Sequence, residues 1–357
     1  MKEAAALSSQ LGFASIDLVG VETEGLPATE RVSDGITIHR LGPSKGRGIA
    51  KAIRHAIWCL RVLGFSIARK PGIVNCHSLP TLPIGVLLKF LTGAKLVYDA
   101  HELETETAWL GGWSKRVGKL VERLCMRWVD LLIVVSPGIE RWYRTNMGVD
   151  KVVTVLNAPN YRDRAPSADK FRQAFPIAKD ERIILYQGHL GAYRGVEELV
   201  AAAPALREIG CRVVVMGFGP MEAELRKLAD EGVIFLHPAV RQNVLLEYTS
   251  SADLGVHLIQ DTCLNHHLCL PNKLFEYVMA RLPVVASGVP EIRRVVEEYS
   301  IGACVTQWDP QSVVAAVEKA LSYAREEMAR NLDSAAGAYC WEKQEDIMIA
   351  AYRERIL

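Results

Sequence analysis

Three segments in the second half of the chain could bind a phosphate group. The first covers residues 186–195, where Gly188, His189 and Arg194 follow an apolar run and precede a helical pattern. Gly188 lets a ligand approach the backbone closely, the two basic side chains donate hydrogen bonds, and a helix N-terminus adds positive potential. This combination favours a diphosphate. A glycine-rich turn with a surface arginine is the alternative.

The second segment, residues 215–220, carries Gly217 and Gly219 in a Gly-x-Gly-Pro pattern between a strand-like run and a helical one. It lacks the third glycine of the dinucleotide-binding fingerprint. It also lacks the acidic residue, about 20 positions further along the chain, that hydrogen-bonds a ribose hydroxyl in that fingerprint. The pattern is therefore compatible with phosphate binding and equally with a tight turn.

The third segment, residues 270–277, places Pro271 where a helix can begin and Lys273 in the first turn. A cation at that place opposes the helix dipole, as expected where an anion is bound. Glu276, one turn later, can accept hydrogen bonds from two ribose hydroxyls. An ion pair between Lys273 and Glu276 on a solvated face is the alternative.

Residues 263–269, which read Cys-Leu-Asn-His-His-Leu-Cys, bring possible zinc ligands together. Structural zinc sites usually take their ligand pairs from separate elements, so a loop that faces the substrate is the favoured interpretation. The chain also lacks an Asp-x-Asp pair that could hold a metal on a diphosphate. No metal site is predicted.

In the first half, two histidines follow predicted strands. His101 lies in Tyr-Asp-Ala-His-Glu at 98–102, beside Asp99 and Glu102, and His77 ends the preceding strand. Ligands of open α/β sheets gather at the carboxyl ends of the strands. His101 could hydrogen-bond a sugar or relay a proton near neutral pH, or it could cap the next helix.

The charge is uneven along the chain. The whole protein has a net charge of +1, yet residues 1–160 carry 20 Lys and Arg against 14 Asp and Glu. The segment 46–65 alternates basic with apolar side chains, including the stripe Ile49, Ile53 and Ile57. It could lie on an anionic membrane surface or be a crossover helix with a basic outer face, and the two interpretations are compatible. No nucleic-acid partner is predicted.

The elements that must position these residues alternate between short apolar runs and helical patterns. Strands without polar alternation, each followed by a helix, predict parallel sheets buried on both faces. Strands are predicted at 16–21, 36–41, 73–76, 95–98, 131–135, 152–156, 183–186, 212–216, 233–236, 254–259, 283–286 and 303–306. Helices are predicted at 47–69, 80–92, 113–129, 137–146, 195–208, 220–231, 241–251, 272–281, 290–299, 310–330 and 342–356.

The length of 357 residues predicts about two domains, and the half-apolar composition excludes a disordered chain or a coiled coil. A Pro- and charge-rich segment follows Asn157 and predicts the boundary. We therefore expect an α/β protein with two doubly wound Rossmann-like domains, at 1–160 and 161–340, and a final helix at 341–357. Eight scattered cysteines indicate reduced thiols in the cytoplasm, and no apolar run reaches the ~20 residues of a membrane helix.

In their order, these segments resemble a retaining glycosyltransferase of the GT-B fold, glycosyltransferase family 4, of the bacterial surface-polysaccharide type. The resemblance spans nearly the whole chain and rests on KEAAAL, HSLPTLPIG, YDAHE, VSPGIERWY with VLNAPN, the run YQGHLGAYRG, MGFGP, SADLGV and LPNKLFEYVMARLPVVAS, and the ending WEKQE. It implies that the first domain binds the acceptor and the second the nucleotide-sugar donor.

By this resemblance, His101 is the catalytic histidine near the transferred sugar and Glu276 holds the donor ribose. Residues 237–239 would border the nucleobase. The donor-binding set is then Gly188, His189, Arg194, Gly217, Gly219, Asn272, Lys273, Leu274 and Glu276. The acceptor-side set is His77, Asp99 and Glu102.

Two departures from the family are visible. Leu268 stands where the family has the first glutamate of a Glu-x7-Glu motif, which leaves the sugar open. The chain also opens on a helical segment, 2–11, where the family has a strand and a glycine-containing loop first. We expect an upstream strand, which in-frame upstream coding sequence would support.

The resulting prediction is a metal-independent hexosyltransferase-type glycosyltransferase without a cofactor, which uses a UDP- or GDP-sugar as co-substrate. It would transfer the sugar with retention to a lipid-linked or glycan acceptor for surface polysaccharide. We expect it in the cytoplasm, at the inner face of the cell membrane. The alternatives are a nucleotide-sugar epimerase of the same fold and a non-catalytic subunit of a polysaccharide assembly.

Overall fold

The computed structural model describes residues 1–43, 48–164 and 169–357. Residues 46–47 of the basic stretch and 165–168 of the predicted linker region lie outside this part. The strands are β1 (Ile16–Glu22), β2 (Thr29–Ser33), β3 (Ile36–Pro43), β4 (Ile73–Cys76), β5 (Lys95–Ala100), β6 (Leu131–Val134), β7 (Val152–Thr154), β8 (Arg182–His189), β9 (Cys211–Phe218), β10 (Phe235–Pro238), β11 (Leu254–His257), β12 (Val284–Ser287) and β13 (Gly302–Val305).

The helices connect these strands and cover the sheets. They are α1 (Lys2–Leu11), α2 (Gly48–Arg69), α3 (Leu82–Thr92), α4 (Gly112–Met126), α5 (Pro137–Met147), α6 (Lys170–Ala174), α7 (Val196–Glu208), α8 (Glu222–Asp230), α9 (Gln242–Thr249), α10 (Leu264–Leu268), α11 (Asn272–Met279), α12 (Pro290–Glu298), α13 (Pro310–Ser322), α14 (Arg325–Ala338) and α15 (Trp341–Arg355). Among the described residues, no helix combines the length and the apolar composition that crossing a bilayer requires.

The second domain is built on a six-stranded parallel sheet in the order β10-β9-β8-β11-β12-β13. Its central strands are apolar on both faces because helices cover both sides, and each face has its own buried cluster. The strand order reverses between β8 and β11. A parallel sheet opens a crevice at such a point, beyond the carboxyl ends of its strands.

The strands of the first domain form two separate sheets. One is the parallel sheet β4-β5-β6-β7, and the other is β1-β3-β2, in which β2 runs antiparallel to β3. Helix α5 shows how the sequence sets a local boundary: Ser136 accepts a hydrogen bond from the backbone N–H of Ile139, Pro137 follows it, and Gly148 ends the helix in the left-handed conformation.

The last helix, α15, lies against the first domain. Met348, Ile349 and Tyr352 share a buried cluster with side chains of α1, β5 and β6. The Tyr352 hydroxyl accepts a hydrogen bond from the Asn75 amide in β4. The two halves of the chain are therefore joined both at the linker and at this helix.

The predicted α/β architecture with two Rossmann-like domains is confirmed, and the structure differs in detail. The sequence analysis missed β2, whose side chains are all exposed and carry no apolar burial signal. It also missed the short helices α6 and α10. The single helix predicted at 310–330 is two helices, α13 and α14, because the chain turns at residues 323 and 324.

Gly217 offers a test of how tightly β8 and β9 meet. A Cβ atom at this position would lie 1.9 Å from the Gly188 carbonyl oxygen, so Gly217→Ala must push the two strands apart. We expect a loss of about 1–3 kcal/mol in the free energy of unfolding, measured by denaturant titration. The control is Gly337→Ala in α14, where a Cβ meets nothing within 4 Å. An equal loss in both variants would contradict the packing argument.

Candidate functional site

One cavity joins the two domains. It has a volume of about 1380 Å³. Residues of both domains line it, among them His77, Asp99 and His101 from the first domain and Asn272 and Glu276 from the second. The structure therefore brings the proposed catalytic histidine and the proposed ribose ligand to the same cavity. Gln242 at the start of α9 also lines it and was not predicted from the sequence.

Glu276 is held by a buried amide rather than by a lysine. The side-chain nitrogen of Gln187 donates to Glu276 Oε2 at 2.7 Å, and the Gln187 oxygen accepts from the Thr249 hydroxyl at 2.8 Å. Within the described residues no ion pair joins Glu276 to Lys273, so the alternative interpretation of this segment was wrong. One carboxylate oxygen is fixed and the other is available to a ligand.

Lys273 lies over the backbone of Gly188. A Cβ at Gly188 would be 1.9 Å from Lys273 Cε, and the glycine has a φ of +129°. Burial lowers the pKa of Lys273, and the charge of Arg194 lowers it further against the opposing effect of Glu276. Gly188 is therefore needed for a close approach, and the group that approaches it is the lysine side chain.

The crevice of the second domain concentrates basic side chains. Burial lowers the pKa of His257 at the end of β11, and Lys273 and Arg194 add to that effect. Burial and Arg194 likewise lower the pKa of His266 in α10. Both ring nitrogens of His257 are buried without a hydrogen-bond partner among the described residues. The charges of Lys273 and Arg194, which add to burial in disfavouring protonation of these histidines, create a positive potential that suits a bound anion.

The other predicted donor-binding residues differ in what they offer. His189 is exposed, with its ring against Phe218 at a centroid distance of 5.9 Å. Asn272 is exposed at the start of α11. The Leu274 side chain is fully buried in the core and cannot face a ligand, which corrects that expectation for its side chain.

Packing alone accounts for two of the predicted glycines. Gly217 contacts Gly188 across the sheet, and a Cβ at Gly219 would lie 2.3 Å from the Leu190 carbonyl oxygen. The turn interpretation of residues 215–220 thus has a structural basis. Their role in donor binding stays a prediction. His237, in the segment expected to border the nucleobase, lies among the rings of Phe171, Phe175 and Tyr248.

On the first domain, His77, Asp99 and His101 form a compact cluster. His77 Nδ1 lies 3.2 Å from His101 Nε2 and 3.0 Å from Asp99 Oδ2, and the two imidazole rings are stacked. Asp99 is 1% exposed, whereas both histidines are exposed to the cavity. The buried carboxylate thus orients two accessible bases, which suits proton transfer or sugar binding.

Glu3 of α1 completes this cluster. Burial and the negative charge of Asp99 raise the pKa of Glu3 to about 7. Burial alone would lower the pKa of His77, but its hydrogen bond to Asp99 and the charges of Asp99 and Glu3 outweigh burial and raise that pKa. Both groups of the cluster therefore hold their protons to higher pH than they would in water.

His77, Asp99 and His101 also form a set that could hold a metal ion. Their three ligand atoms lie within 4.8 Å of one another. Histidine nitrogens and a carboxylate suit zinc or a similar transition ion. The sequence analysis did not detect this set, because its residues come from two strands.

Glu102 and the segment 263–269 connect the two domains. The Asn265 amide donates to Glu102 Oε2 at 3.1 Å, and the Leu103 N–H donates to Asn265 Oδ1 at 2.8 Å. Leu264 and Leu268 pack against the core of the first domain. The Leu268 carbonyl accepts a hydrogen bond from the Ser136 hydroxyl at 2.6 Å. Leu268 therefore contributes an apolar contact and a backbone hydrogen bond between the domains.

The sequence analysis missed Glu3, Gln187, Gln242 and His257. His257 carried one usable signal, a histidine at the end of an apolar strand. Gln187 lies inside the predicted glycine segment, but its burial beneath Glu276 depends on α11, which comes later in the chain. Glu3 reaches the cluster only because α1 packs beside the sheet.

Comparison with known families agrees with this geometry. Residues 4–159 match the family described as "Glycosyl transferase 4-like domain", and residues 181–323 match "Glycosyl transferases group 1". The two matches together cover more than half of the chain. This protein belongs to the glycosyltransferases with the GT-B fold.

Individual relatives are distant. The chain is 25% identical over 355 residues to D-inositol 3-phosphate glycosyltransferase of Geodermatophilus obscurus, covering 92% of this chain and 77% of that protein. Sucrose-phosphate synthase from Thermosynechococcus elongatus shares the fold, with a TM-score of 0.81, 19% identity and coverage of 99% and 91%. Anabaena HepE, solved in complex with UDP-glucose, has a TM-score of 0.67, 14% identity and coverage of 89% and 86%.

The raised pKa values of Glu3 and His77 predict a pH-dependent stability. Both groups bind protons more strongly in the folded state than in the unfolded one, so their stabilising effect is present at low pH and is lost as the pH rises through the raised values. For Glu3 this loss falls between its ordinary pKa of 4.5 and its raised value of about 7. The lowered pKa values of His257 and His266 act in the opposite direction, so the test compares variants rather than absolute Tm values. Relative to the unaltered chain, the Tm of Glu3→Gln should increase between about pH 4.5 and pH 7, whereas Glu22→Gln, an exposed control, should show no such trend. An unaltered pH profile in Glu3→Gln would contradict the coupling.

Proposed function

We propose that this protein transfers a sugar from a nucleotide diphosphate sugar to a hydroxyl acceptor. The observation that carries the proposal is the shared cavity, in which His77, Asp99 and His101 lie opposite Asn272 and Glu276. In HepE the same fold binds UDP-glucose. We infer a UDP- or GDP-type donor held by the second domain and an acceptor held by the first.

In this proposal, the second domain stabilises the leaving group. The bond between the anomeric carbon and the diphosphate oxygen breaks, and negative charge develops on that oxygen. Lys273 and Arg194 are placed to stabilise that charge, and the positive end of a helix adds to it. The lowered pKa of Lys273 supports this role, since an incoming diphosphate relieves its repulsion by Arg194. Two side-chain cations make a metal ion on the diphosphate unnecessary.

We infer that the anomeric carbon retains its configuration because the acceptor attacks from the face that the diphosphate leaves. This route needs no enzyme nucleophile. The acceptor hydroxyl bonds to the anomeric carbon as the diphosphate leaves, and its proton passes to the leaving phosphate. His101 then positions the sugar, and Asp99 and His77 hold His101 in place. Gln187 acts through Glu276 as a positioning residue for the ribose.

The acceptor side includes a surface suited to an anionic membrane. Helix α4 exposes the apolar side chains Trp113, Val117, Leu120 and Leu124, which recur at helical spacing. Its bases Lys115, Arg116, Lys119 and Arg123 are interspersed with them. Such a face binds lipid headgroups through apolar insertion and charge. It supports a lipid-linked acceptor for surface polysaccharide and a peripheral location at the inner face of the cell membrane.

The neighbouring helices extend this apolar surface. Exposed side chains of α2 and α3 belong to it, namely Ile53, Ile57, Leu60, Leu87, Phe90 and Leu91. Of the stripe expected on α2, Ile53 and Ile57 point outward, while Trp58 and Val62 pack inward. The side chains of Ile49 and Lys51 lie outside the described part. The inward face of α2 thus agrees with the packing interpretation, and its exposed face supports the proposed membrane contact.

Thermal unfolding with UDP, GDP, ADP or CDP tests the donor site. A nucleotide at about 100 times its Kd adds about 2.7 kcal/mol to stability, and we expect such a shift with one nucleotide, equally with Mg²⁺ or EDTA. Glu276→Ala should abolish most of the shift because the ribose loses its carboxylate. His101→Ala should keep the shift and lower turnover by about 10²-fold or more.

The control is Glu224→Ala, an exposed glutamate in the first turn of α8. It should retain both the shift and the turnover. Equal loss of nucleotide binding in His101→Ala and Glu276→Ala would refute the division of roles. Conversion of the donor without any acceptor would identify an epimerase instead.

Co-sedimentation with phosphatidylglycerol vesicles tests the membrane surface. Trp113 is 76% exposed and Leu120 is 58% exposed. Replacing both with serine removes apolar area worth about 1.5–3 kcal/mol for each fully inserted side chain, so vesicle binding should fall by at least about tenfold. Phe218→Ser, at a 63% exposed position of the second domain, is the matched control. Unchanged binding by the double variant would rule out this face.

A further inference from the structure

The register between two strands brings His77, Asp99 and His101 together. Strands β4 and β5 are parallel neighbours in which Cys76 pairs with Tyr98, so the next residues, His77 and Asp99, lie opposite each other at the carboxyl edge. His101 follows Asp99 by two residues, and side chains at this separation lie on the same face of an extended chain. Three possible metal ligands therefore converge at one point of the cavity.

The three ligand atoms of this cluster have the spacing of a metal site. His77 Nδ1 lies 3.2 Å from His101 Nε2 and 3.0 Å from Asp99 Oδ2, and His101 Nε2 lies 3.7 Å from Asp99 Oδ2. Ligand atoms around a tetrahedral zinc ion are about 3.3 Å apart, because each lies about 2.0–2.2 Å from the metal. A single ion can therefore reach all three atoms at ordinary bond lengths.

Hydrogen bonds alone do not satisfy the cluster. An imidazole carries at most one proton on Nδ1, so His77 Nδ1 can form only one ordinary hydrogen bond with its two neighbours, Asp99 and His101. An ion at the centre would bond to all three atoms at once. Within residues 1–43, 48–164 and 169–357, no other three His, Cys, Asp or Glu side chains bring their ligand atoms this close together.

The donor set and its exposure select the class of ion. Two imidazole nitrogens and one carboxylate oxygen suit zinc and similar transition ions, whereas magnesium prefers oxygen ligands. The Asp99 side chain is 2% exposed, while those of His77 and His101 are 47% and 49% exposed. The buried carboxylate is thus fixed, and the half-exposed imidazoles leave a further coordination position open to the cavity. Three protein ligands with one open position are typical of a zinc site that also binds water or a substrate.

We propose that His77, Asp99 and His101 bind one Zn²⁺ ion, or a transition ion of similar chemistry, with its fourth position open to the cavity. The effect of this ion on the reaction rests on the proposed function, in which His101 positions the transferred sugar. His101 Nε2 cannot bind zinc and hydrogen-bond the sugar at the same time, because zinc occupies its lone pair and excludes its proton. Bound zinc therefore inhibits sugar transfer.

Equilibrium dialysis of the metal-free chain against Zn²⁺ tests the site without an activity assay, with bound metal measured by inductively coupled plasma mass spectrometry. We expect one Zn²⁺ per chain at the cluster, which an excess of Mg²⁺ does not displace. His77→Ala should weaken binding by at least about tenfold, because the site loses one of its three ligands.

The matched control is His267→Ala. His267 forms an exposed pair with Asp261 at 2.8 Å, and this pair lacks a third ligand among the described residues. The variant should bind zinc as the unaltered chain does. Equal zinc affinity in His77→Ala and the unaltered chain would overturn the proposal, because the ion would then lie elsewhere, for instance on a cysteine thiol. Absence of zinc binding by the unaltered chain would overturn it as well.

His101→Ala replaces His77→Ala in this experiment if the latter fails to fold, as judged by its circular dichroism spectrum in EDTA. The same loss of zinc affinity is expected, because His101 Nε2 is also a ligand. Affinity equal to that of the unaltered chain would again overturn the proposal.

The rate of sugar transfer tests the inhibition. We expect the rate of the unaltered chain to fall by at least about tenfold when the site is occupied, and to recover with EDTA. An unchanged rate with zinc bound at the cluster would overturn the inhibition. Zinc binding at the cluster of a chain that transfers no sugar, with or without EDTA, would support the site and refute the proposed function.

Discussion

The contact between the two domains is the constraint on which the site depends. Each sheet presents polar side chains at the carboxyl ends of parallel strands, and neither edge alone contains both the cluster of His77, Asp99 and His101 and the basic side chains around Lys273. The short helix α10 fixes the two edges opposite each other. Asn265 accepts a hydrogen bond from the Leu103 backbone N–H and donates one to the Glu102 side chain. The Leu268 carbonyl accepts a hydrogen bond from the Ser136 hydroxyl. Buried hydrogen bonds of this kind are costly to break without a replacement.

The two sides of the cleft differ in electrostatic character. On the second domain, buried Lys273, His257 and His266 have lowered pKa values because burial and neighbouring positive charge disfavour their protonation. On the first domain, Glu3 and His77 have raised pKa values around a buried aspartate. The second domain therefore suits a bound anion, whereas the first domain holds its protons to higher pH.

The division of the first-domain sheet lies at the same cleft. Residues 16–19 of β1 and 73–76 of β4 line one cavity with His77, Asp99 and Glu276. The two separate sheets of the first domain therefore both contribute to the walls of the candidate site.

The sequence by itself determined the alternation of strands and helices, the two parallel-sheet domains, the strand ends that carry His77, His101 and Gly188, and the helix that carries Glu276. These features are local: apolar runs, helical periodicity and glycine turns act over a few residues. The sequence did not predict the exposed strand β2 or the break between α13 and α14, because neither leaves a strong periodic signal of apolar residues.

Tertiary structure alone decided which of these residues work together. It paired Glu276 with Gln187, 89 positions away, placed Lys273 over Gly188, and gave Asp99 its two histidines. It also brought residues 263–269 into contact with the first domain, while the substrate-facing role of this loop stays a prediction. The physical reason is that pKa values, burial and ligand geometry depend on neighbours brought from distant parts of the chain, which no local pattern encodes.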